Sequence, residues 1–231
     1  MDTLSALKAI TAASICAAKK DVRDYLNGIC IDQHQEGAFR IVGCDGHKLI
    51  VIECEGRFFY GHNMPDQTGQ LIISKNDIAM VVGKLKLLKK QHRECYFECE
   101  GFIVSGPDLG DITKNTQYPI EPIDGTYPDY MRVMPSACDP LQNDGTGFAS
   151  LNPDYIIEAS RALKPLCAGK YPRLAIGIKD ANSAVEFALP PVSLIAGVTS
   201  ARAVVMPLKP DANGSDRMPT RNANGIKLKA A

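Results

Sequence analysis

Residues 43–49, GCDGHKL, carry a thiol, a carboxylate, an imidazole and an ammonium group within one short segment. A cysteine near a histidine can act as a nucleophile with its base, provided that a third group holds the imidazole in place. Cys44 and His47 have no identifiable third group, so we expect no catalytic residue here. A small Cys-dependent hydrolase stays a remote alternative. Replacing Cys44 would abolish such an activity, whereas a binding surface would tolerate serine or threonine.

Metal binding is the second chemistry that these residue types allow. The chain has 4 histidines and 8 cysteines, but no CxxC pair and no two histidines at ligand spacing on a helix. Structural zinc needs clustered ligands of this kind, so we expect neither a metal site nor any other cofactor. In a reducing compartment the cysteines would serve mainly as small buried apolar side chains.

A purely structural explanation of the segment also stands. Asp-Gly supplies the positive φ that tight turns require, and residues 45–46 separate two β-prone runs. On this interpretation the segment is a hairpin turn capped by His47, and Met206, farther along the chain, belongs to the core.

The bulk composition is that of an ordinary soluble globular protein. Of 231 residues, 45% are hydrophobic and 23% are charged, with 26 basic and 26 acidic side chains. No global field therefore draws the molecule to nucleic acid or to a membrane, and any such attraction has to be local. No apolar run reaches the ~20 residues that span a bilayer, and the first residues lack the pattern of a signal peptide. We expect a cytoplasmic protein.

Hydrophobic periodicity predicts an α+β fold built from repeated helix-plus-antiparallel-sheet units. Apolar residues recur at helical spacing over residues 4–18, and short β-prone runs with tight-turn dipeptides follow over 25–61. A second unit has a strand at 69–74, a helix at 75–93 and strands within 94–107.

A third unit repeats the same order. It comprises a strand at 129–135, a helix that starts at Pro153 with Asn152 as its N-cap, and strands within 173–208. The units share the order of their helices and strands rather than identical residues. A unit that cannot bury its own apolar face is expected to pack beside its neighbours.

The second helix is strongly basic along one stripe. Lys86, Lys90 and Arg93 recur at i, i+4 and i+7, and apolar residues form a separate stripe. Such a basic face is either simply solvated or binds phosphates by charge without reading bases. The candidate DNA-facing residues are Arg23, Lys84, Lys86, Lys89, Lys90, Arg93, Arg161 and Lys164.

Several stretches resemble, in the same order, segments of the bacterial DNA polymerase III β sliding clamp family. They are DVRDYLNG at 21–28, CDGHKL at 44–49, IDGTYPDYMRVMP at 123–135 and ARAVVMPL at 201–208. The resemblance covers most of residues 1–209 and corresponds to the middle and last clamp domains. It implies a DNA-clamp-like fold, with sheets outside and basic helices lining a hole that holds duplex DNA without sequence preference.

The same resemblance implies a shallow groove into which partner proteins insert a short extended peptide. In the family the Asp-Gly-His turn, the Pro-Asp-Tyr connector and the Met-Pro segment line this groove. Apolar, adaptable side chains would form its walls, and a few polar donors would fix the orientation of the peptide. The candidate partner-peptide groove residues are Leu26, Cys44, Gly46, His47, Lys48, Leu49, Pro128, Arg132, Val133, Asn152, Tyr155, Val204, Val205, Met206, Pro207 and Leu208.

The sequence departs from the clamp pattern at several places. Residues 136–150 are polar and rich in turn formers where a clamp domain has a whole unit, so the last domain is interpreted as half a domain that should recruit another chain or repack. Residues 211–231 form a tail of low apolar content that we expect to be mobile. Lys48 and Cys44 stand where the family commonly has arginine and threonine, and lysine lacks the planar fork of donors of arginine.

We therefore predict a clamp-like domain at 1–122, a partial clamp-like domain at 123–210 and a mobile tail at 211–231. The predicted function is that of a non-enzymatic processivity or scaffold factor. Its predicted partners are duplex DNA and a DNA polymerase or other clamp-binding proteins. The alternative is a clamp-derived protein that forms no ring and competes for those partners. We also expect a homo-oligomer without membrane association and, from the shortening, a phage or mobile-element origin.

Overall fold

The structure is a computed structural model that describes residues 3–35, 37–56, 69–90, 94–97, 102–106, 116–135, 149–169, 172–178 and 182–208. It consists of helices and antiparallel strands, which confirms the predicted α+β class. The predictions made for residues 57–61, 91–93, 136–148 and 209–231 lie outside the described part of the chain.

The strands lie largely where alternation and turn residues predicted them. They are β1 (Gly28–Gln35), β2 (Ala38–Cys44), β3 (Lys48–Glu55), β4 (Gly69–Ser74), β5 (Glu94–Phe97), β6 (Phe102–Gly106), β7 (Thr116–Pro119), β8 (Ala175–Gly177), β9 (Val185–Ala188) and β10 (Val198–Val205). Seven of them form one sheet in the order β4-β1-β2-β3-β10-β9-β8, and the other three form a sheet in the order β5-β6-β7.

The pairing of β3 with β10 joins the first and third predicted units in one sheet. Leu49 lies opposite Val204, and Lys48 lies opposite Val205. The chain therefore brings its C-terminal strands next to the turn between β2 and β3. The domain division at residue 122 stays a prediction.

Helices α1 (Thr3–Cys16), α2 (Lys75–Lys90) and α3 (Pro153–Leu163) cover one face of the large sheet. The central helix, α1, contacts both α2 and α3. Asn152 caps α3, because its side-chain oxygen accepts the Asp154 N–H at 2.9 Å. This confirms the N-cap predicted from the sequence.

The two faces of the sheet bury separate cores. Successive residues of a strand point to opposite faces of the sheet. In β1, Ile29 and Ile31 pack under the helices, whereas Cys30, between them, points to the opposite face. The second, smaller core on that opposite face contains Ala18, Leu26, Cys30, Val42, Leu49, Val51, Ile72, Tyr127, Tyr130, Met134 and Val204. This face carries the candidate site.

The strand predicted at 129–135 is wrong, because Tyr130–Val133 form a 3-10 helix. The Met134 N–H donates to the Met131 carbonyl at 3.2 Å, a spacing that belongs to a tight helical turn. Tyr130 and Met134 are buried and the residues between them are exposed, a spacing of four rather than the alternation of a strand.

Among the described helices, none is long and apolar enough to cross a membrane. The part of the chain that the structure describes also holds no group of three or more histidine, cysteine, aspartate or glutamate side chains that could bind a metal ion. The cysteines with described side chains are free thiols, namely Cys16, Cys30, Cys44, Cys54 and Cys167.

Candidate binding groove

A tight turn joins β2 to β3, and the Asp45 carboxylate stabilises it. Its Oδ1 accepts the main-chain N–H groups of His47 and Lys48, each at 2.9 Å. Gly46 has φ +88°, a backbone conformation in which a side chain would be strained. The hairpin turn predicted at Asp45-Gly46 is confirmed, but the residue that caps it is Asp45 rather than His47.

Beside this turn, on the sheet face away from the helices, lies a depression of about 190 Å³, which we call the groove. Leu26, Leu49 and Val204 are its buried aliphatic residues, and Val133 and Met206 are 45% and 39% exposed at its rim. A volume of this size admits one or two side chains rather than a drug-sized ligand. The groove is lined by Arg23, Leu26, Cys44, Gly46, His47, Lys48, Leu49, Tyr127, Pro128, Asp129, Tyr130, Val133, Val204 and Met206.

The structure brings together most of the residues that the sequence predicted for this surface. The predicted residues that line the groove are Leu26, Cys44, Gly46, His47, Lys48, Leu49, Pro128, Val133, Val204 and Met206. They come from the loop after α1, from the turn between β2 and β3, from residues 127–133, which we call the connector, and from β10 and the residue that follows it. Their role in binding a peptide stays a prediction.

Other predicted groove residues lie elsewhere. Val205 follows Val204 in β10 and therefore points to the opposite face, where it is fully buried under the helices. Asn152 and Tyr155 line a neighbouring depression instead. The predicted residues that line neither depression are Arg132, Pro207 and Leu208.

Arg23 was predicted to face DNA, but the structure places it in the groove lining. The chain has already crossed to the groove side of the sheet at Ala18, which packs in the smaller core. The Arg23 guanidinium binds the Asp21 carboxylate through two hydrogen bonds of 2.9 Å. We therefore reassign Arg23 from the DNA-facing set to the rim of the groove.

Tyr127 and Tyr130 of the connector also line the groove, and the sequence did not predict them as groove residues, although both lie in the clamp-like segment 123–135. The Tyr130 hydroxyl donates to Asp32 Oδ2 at 2.5 Å, and its ring packs edge-on against Tyr127 with centroids 6.5 Å apart. Burial, reinforced by the hydrogen bond to Asp32, raises the pKa of Tyr130. The hydroxyl therefore stays protonated and keeps the connector against the sheet.

The end of β10 is joined to the turn on the other side of the groove. The Met206 N–H donates to the His47 carbonyl at 2.8 Å. The His47 ring packs against Tyr155 of α3, with centroids 5.5 Å apart. The alternative that placed Met206 in the core is wrong, because its side chain is exposed at the rim.

A second depression, of about 490 Å³, adjoins the groove and shares Lys48 with it. Most of its lining is charged or polar, unlike that of the groove. It lies between the loop after α1 and the first turns of α3. Its lining residues are Ala17, Ala18, Lys19, Lys20, Asp21, Asp45, Lys48, Asn152, Asp154, Tyr155 and Glu158.

The geometry at Cys44 gives no support to a Cys-dependent hydrolase. Burial raises the pKa of the Cys44 thiol, whereas a nucleophilic cysteine needs a lowered pKa. The thiol sulfur accepts the Gly46 N–H at 3.3 Å as part of the turn. Its observed role is therefore in the conformation of the turn.

On the opposite side of the sheet, α2 turns a basic stripe to solvent. Lys86, Lys89 and Lys90 are exposed. The buried residues of the same helix are Ile78, Val81, Leu85 and Leu88. The other cations predicted for this surface are exposed Arg161 and Lys164, half-buried Lys84, and Arg93, which lies outside the described residues.

No family model matches this chain. The β sliding clamp of Pseudomonas aeruginosa is 29% identical to it over 133 residues, which are 57% of this chain and 32% of that protein. A solved sliding clamp from the same organism has a TM-score of 0.62 at 18% identity, covering 90% of this chain and 66% of the clamp. The DNA polymerase III β subunit of Thermotoga maritima has a TM-score of 0.58 at 16% identity, covering 90% of this chain and 64% of that one.

A further Pseudomonas aeruginosa sliding clamp, solved bound to griselimycin, has a TM-score of 0.59 at 19% identity and covers 90% of this chain and 64% of its own. The chain thus spans 32% of the length of the curated relative and 64–66% of these solved structures. At such low identities the structural likeness establishes a common fold.

Proposed function

We propose that this chain, a homologue of the bacterial β sliding clamp, is a clamp-like processivity or scaffold factor that performs no catalysis itself. It binds replication or repair proteins through the groove and duplex DNA through the basic helical surface. The observation that carries the proposal is the position of an apolar groove and a basic helix on opposite faces of one sheet. A molecule built in this way can hold a protein on one side while its other side contacts nucleic acid.

The proposed ligand of the groove is a short extended peptide in which a glutamine is followed by bulky apolar residues. The buried Leu26, Leu49 and Val204 supply an apolar floor for such side chains. Met206 at the rim is flexible and polarisable, so it can adapt to side chains of different shape. Since the contact is small, the expected dissociation constant is micromolar, which corresponds to a binding free energy of about −8 kcal/mol.

Replacing Met206 by alanine should weaken peptide binding about tenfold, because its side chain is 39% exposed and burying that part against a ligand is worth roughly 1.5 kcal/mol, the lower end of the range for a methionine. Leu208→Ala should have a smaller effect, since Leu208 does not line the groove. Fluorescence anisotropy with a labelled peptide of the stated pattern measures both. Val192→Ala is the matched control, because Val192 is 95% exposed and lies outside the groove lining. Saturable binding that Met206→Ala leaves unchanged would rule out this site.

A second copy of this chain is the proposed partner of β8. This strand lies at the edge of the large sheet; Ile176 within it and Leu174 just before it are 59% and 37% exposed. An edge strand that presents main-chain hydrogen-bonding groups and apolar side chains can pair with the same strand of another copy.

Light scattering over a concentration series should show a mass that rises toward twice the 25.0 kDa of the chain. Ile176→Lys should hold the mass near 25.0 kDa, because a charge on an edge strand disfavours pairing. Val192→Lys adds the same charge at an exposed position outside the strand and should still associate. A strict monomer at high micromolar concentration would contradict the pairing and any ring built from this chain alone.

The second candidate function is a clamp-derived protein that binds the same partners without holding DNA. The formal net charge of +0 favours it, because DNA contact then depends on the stripe of α2 and a few other cations. Peptide binding without any detectable duplex binding would support this candidate.

A further inference from the structure

Lys48 lies in the wall that the groove shares with the second depression, and protein groups surround its ammonium nitrogen. Its side chain is 6% exposed. The Nζ atom is 2.9 Å from Glu158 Oε2, pairs with Asp45 Oδ2, and lies 5.3 Å from the centroid of the Tyr155 ring. An ammonium group has three donors, and the carboxylates of Glu158 and Asp45 take two of those of Lys48.

The two carboxylates keep Lys48 charged. Burial alone would lower the pKa of Lys48, but its hydrogen bonds to Asp45 and Glu158 outweigh burial, and the pKa is raised. Removing one carboxylate would leave a largely buried ammonium group only partly compensated, which is unfavourable.

These contacts form a continuous link between α3 and both walls of the groove. Glu158 of α3 holds Lys48, and Lys48 pairs with Asp45. The Asp45 carboxylate in turn accepts the N–H groups of the turn, and the His47 carbonyl accepts the Met206 N–H at 2.8 Å. The position of Met206 at the rim is therefore connected through the turn to a carboxylate that does not line the groove.

We propose that Glu158 is a positioning residue of the groove, and that Lys48 is the brace it holds rather than a contact for the bound peptide. This inference rests on the proposed peptide-binding function. Glu158 fixes the turn between β2 and β3 against α3, so that His47 and Met206 present the groove in its binding conformation before the peptide arrives. A pre-arranged site binds more tightly because less conformational entropy is lost on binding.

The first test replaces Glu158 by glutamine, which keeps the shape of the side chain and removes its charge. Peptide affinity should fall about tenfold, since the turn becomes free to sample other conformations. Hydrogen exchange at the Met206 amide should accelerate through local opening, while the exchange of amides in the centre of the sheet stays unchanged. Asp154→Asn is the matched control, because Asp154 is an exposed carboxylate in the first turn of the same helix. It should change neither quantity.

The second test separates a brace from a direct contact. Lys48→Arg keeps the charge and should retain peptide binding. Lys48→Met removes the charge and should reduce peptide affinity by about as much as Glu158→Gln does. In the double variant Lys48→Met, Glu158→Gln, the loss of peptide affinity should equal that of either single variant, because both substitutions break the same link. A double variant that loses the sum of the two effects would mean that Lys48 touches the peptide itself, and would overturn the proposal.

Unchanged affinity and unchanged Met206 exchange in Glu158→Gln would likewise overturn it. If the unaltered protein binds no such peptide, the proposed function fails. The exchange measurement then still decides whether Glu158 holds the turn in place.

Discussion

Replacing Lys86, Lys89 and Lys90 of α2 by glutamate should abolish binding to duplex DNA. The chain has a formal net charge of +0, so any attraction to phosphates has to come from a local patch. For B-DNA each neutralised phosphate contributes about 0.9 to the slope of log affinity against log salt. Three reversed charges should therefore remove both the affinity and most of its salt dependence. Fluorescence anisotropy with labelled duplexes of unrelated sequence, over a salt series, measures both quantities.

A matched control reverses three exposed cations that belong to none of the helices α1, α2 and α3, namely Lys19, Lys20 and Arg132. The change in net charge is the same, yet duplex binding should persist, because these residues lie outside the stripe of α2. Equal loss in both triple variants would show that overall charge, rather than α2, determines binding. If the unaltered protein binds no duplex at low salt, the DNA contact is wrong and the candidate that holds no DNA is favoured.

The α2 substitutions should leave the fold intact. The three lysines are exposed, and the helix is anchored by its buried apolar side, including Val81 and Leu85. Lys89 and Lys90 lie in the last turn, where an acidic side chain costs about 0.3–1 kcal/mol against the helix dipole. A modest fall in melting temperature is therefore expected, and circular dichroism at the assay temperature separates it from unfolding.

Local sequence patterns predicted the helices and most of the strands. Ile78 and Leu85 recur on one side of α2, and both are buried. Asn152 and Pro153 predicted the start of α3, and the structure has the helix begin there with Asn152 as its cap. Signals of this kind involve residues within one or two helical turns, so a single sequence contains them.

Contacts between distant parts of the chain could not be predicted in this way. The pairing of β3 with β10 decides where the groove lies, yet no local pattern records which strands become neighbours. The 3-10 helix of the connector is joined to the sheet by the hydrogen bond from Tyr130 to Asp32, which are far apart in sequence. Glu158 resembles any surface carboxylate in the sequence, and only its 2.9 Å distance to Lys48 distinguishes it.

The groove itself was predicted by family resemblance, and that resemblance carried errors of a physical kind. It selected Val204 and Val205 together, although neighbouring residues of a strand point to opposite faces. It also left Tyr127 unselected, because a tyrosine in a connector has no distinctive pattern until its burial is known. Placement of single side chains therefore needed the three-dimensional packing.

Gly43 in β2 lies beneath α1, and the two main chains approach too closely for a larger residue. A Cβ atom at Gly43 would come 2.0 Å from the Ala13 carbonyl oxygen and 2.9 Å from its carbonyl carbon. These are main-chain atoms of a helix, which cannot move aside as the end of a side chain can. The buried side of α1 is made of small residues such as Ala9 and Ala12, and this composition allows the close approach.

Gly43→Ala should therefore lower the free energy of unfolding by about 3 kcal/mol or more, the upper part of the range for overpacked cores. For a protein of this size the melting temperature should fall by about 6–12 °C. Gly83→Ala adds the same methyl group in the exposed interior of α2, with nothing within 4 Å of it. It should raise the free energy of unfolding by about 0.5–1 kcal/mol through helix propensity. Thermal and denaturant unfolding of the two variants compares one chemical change at two sites.

The two faces of β2 connect this packing to the groove. Gly43 faces α1, whereas its neighbours Val42 and Cys44 face the groove side. A displacement of β2 from α1 therefore moves the groove wall, and peptide affinity should fall in Gly43→Ala together with stability. Gly83→Ala should keep the affinity of the unaltered protein, because α2 contributes no residue to the groove lining. A Gly43→Ala protein as stable as Gly83→Ala would mean that α1 and β2 are not in the close contact from which this expectation is derived.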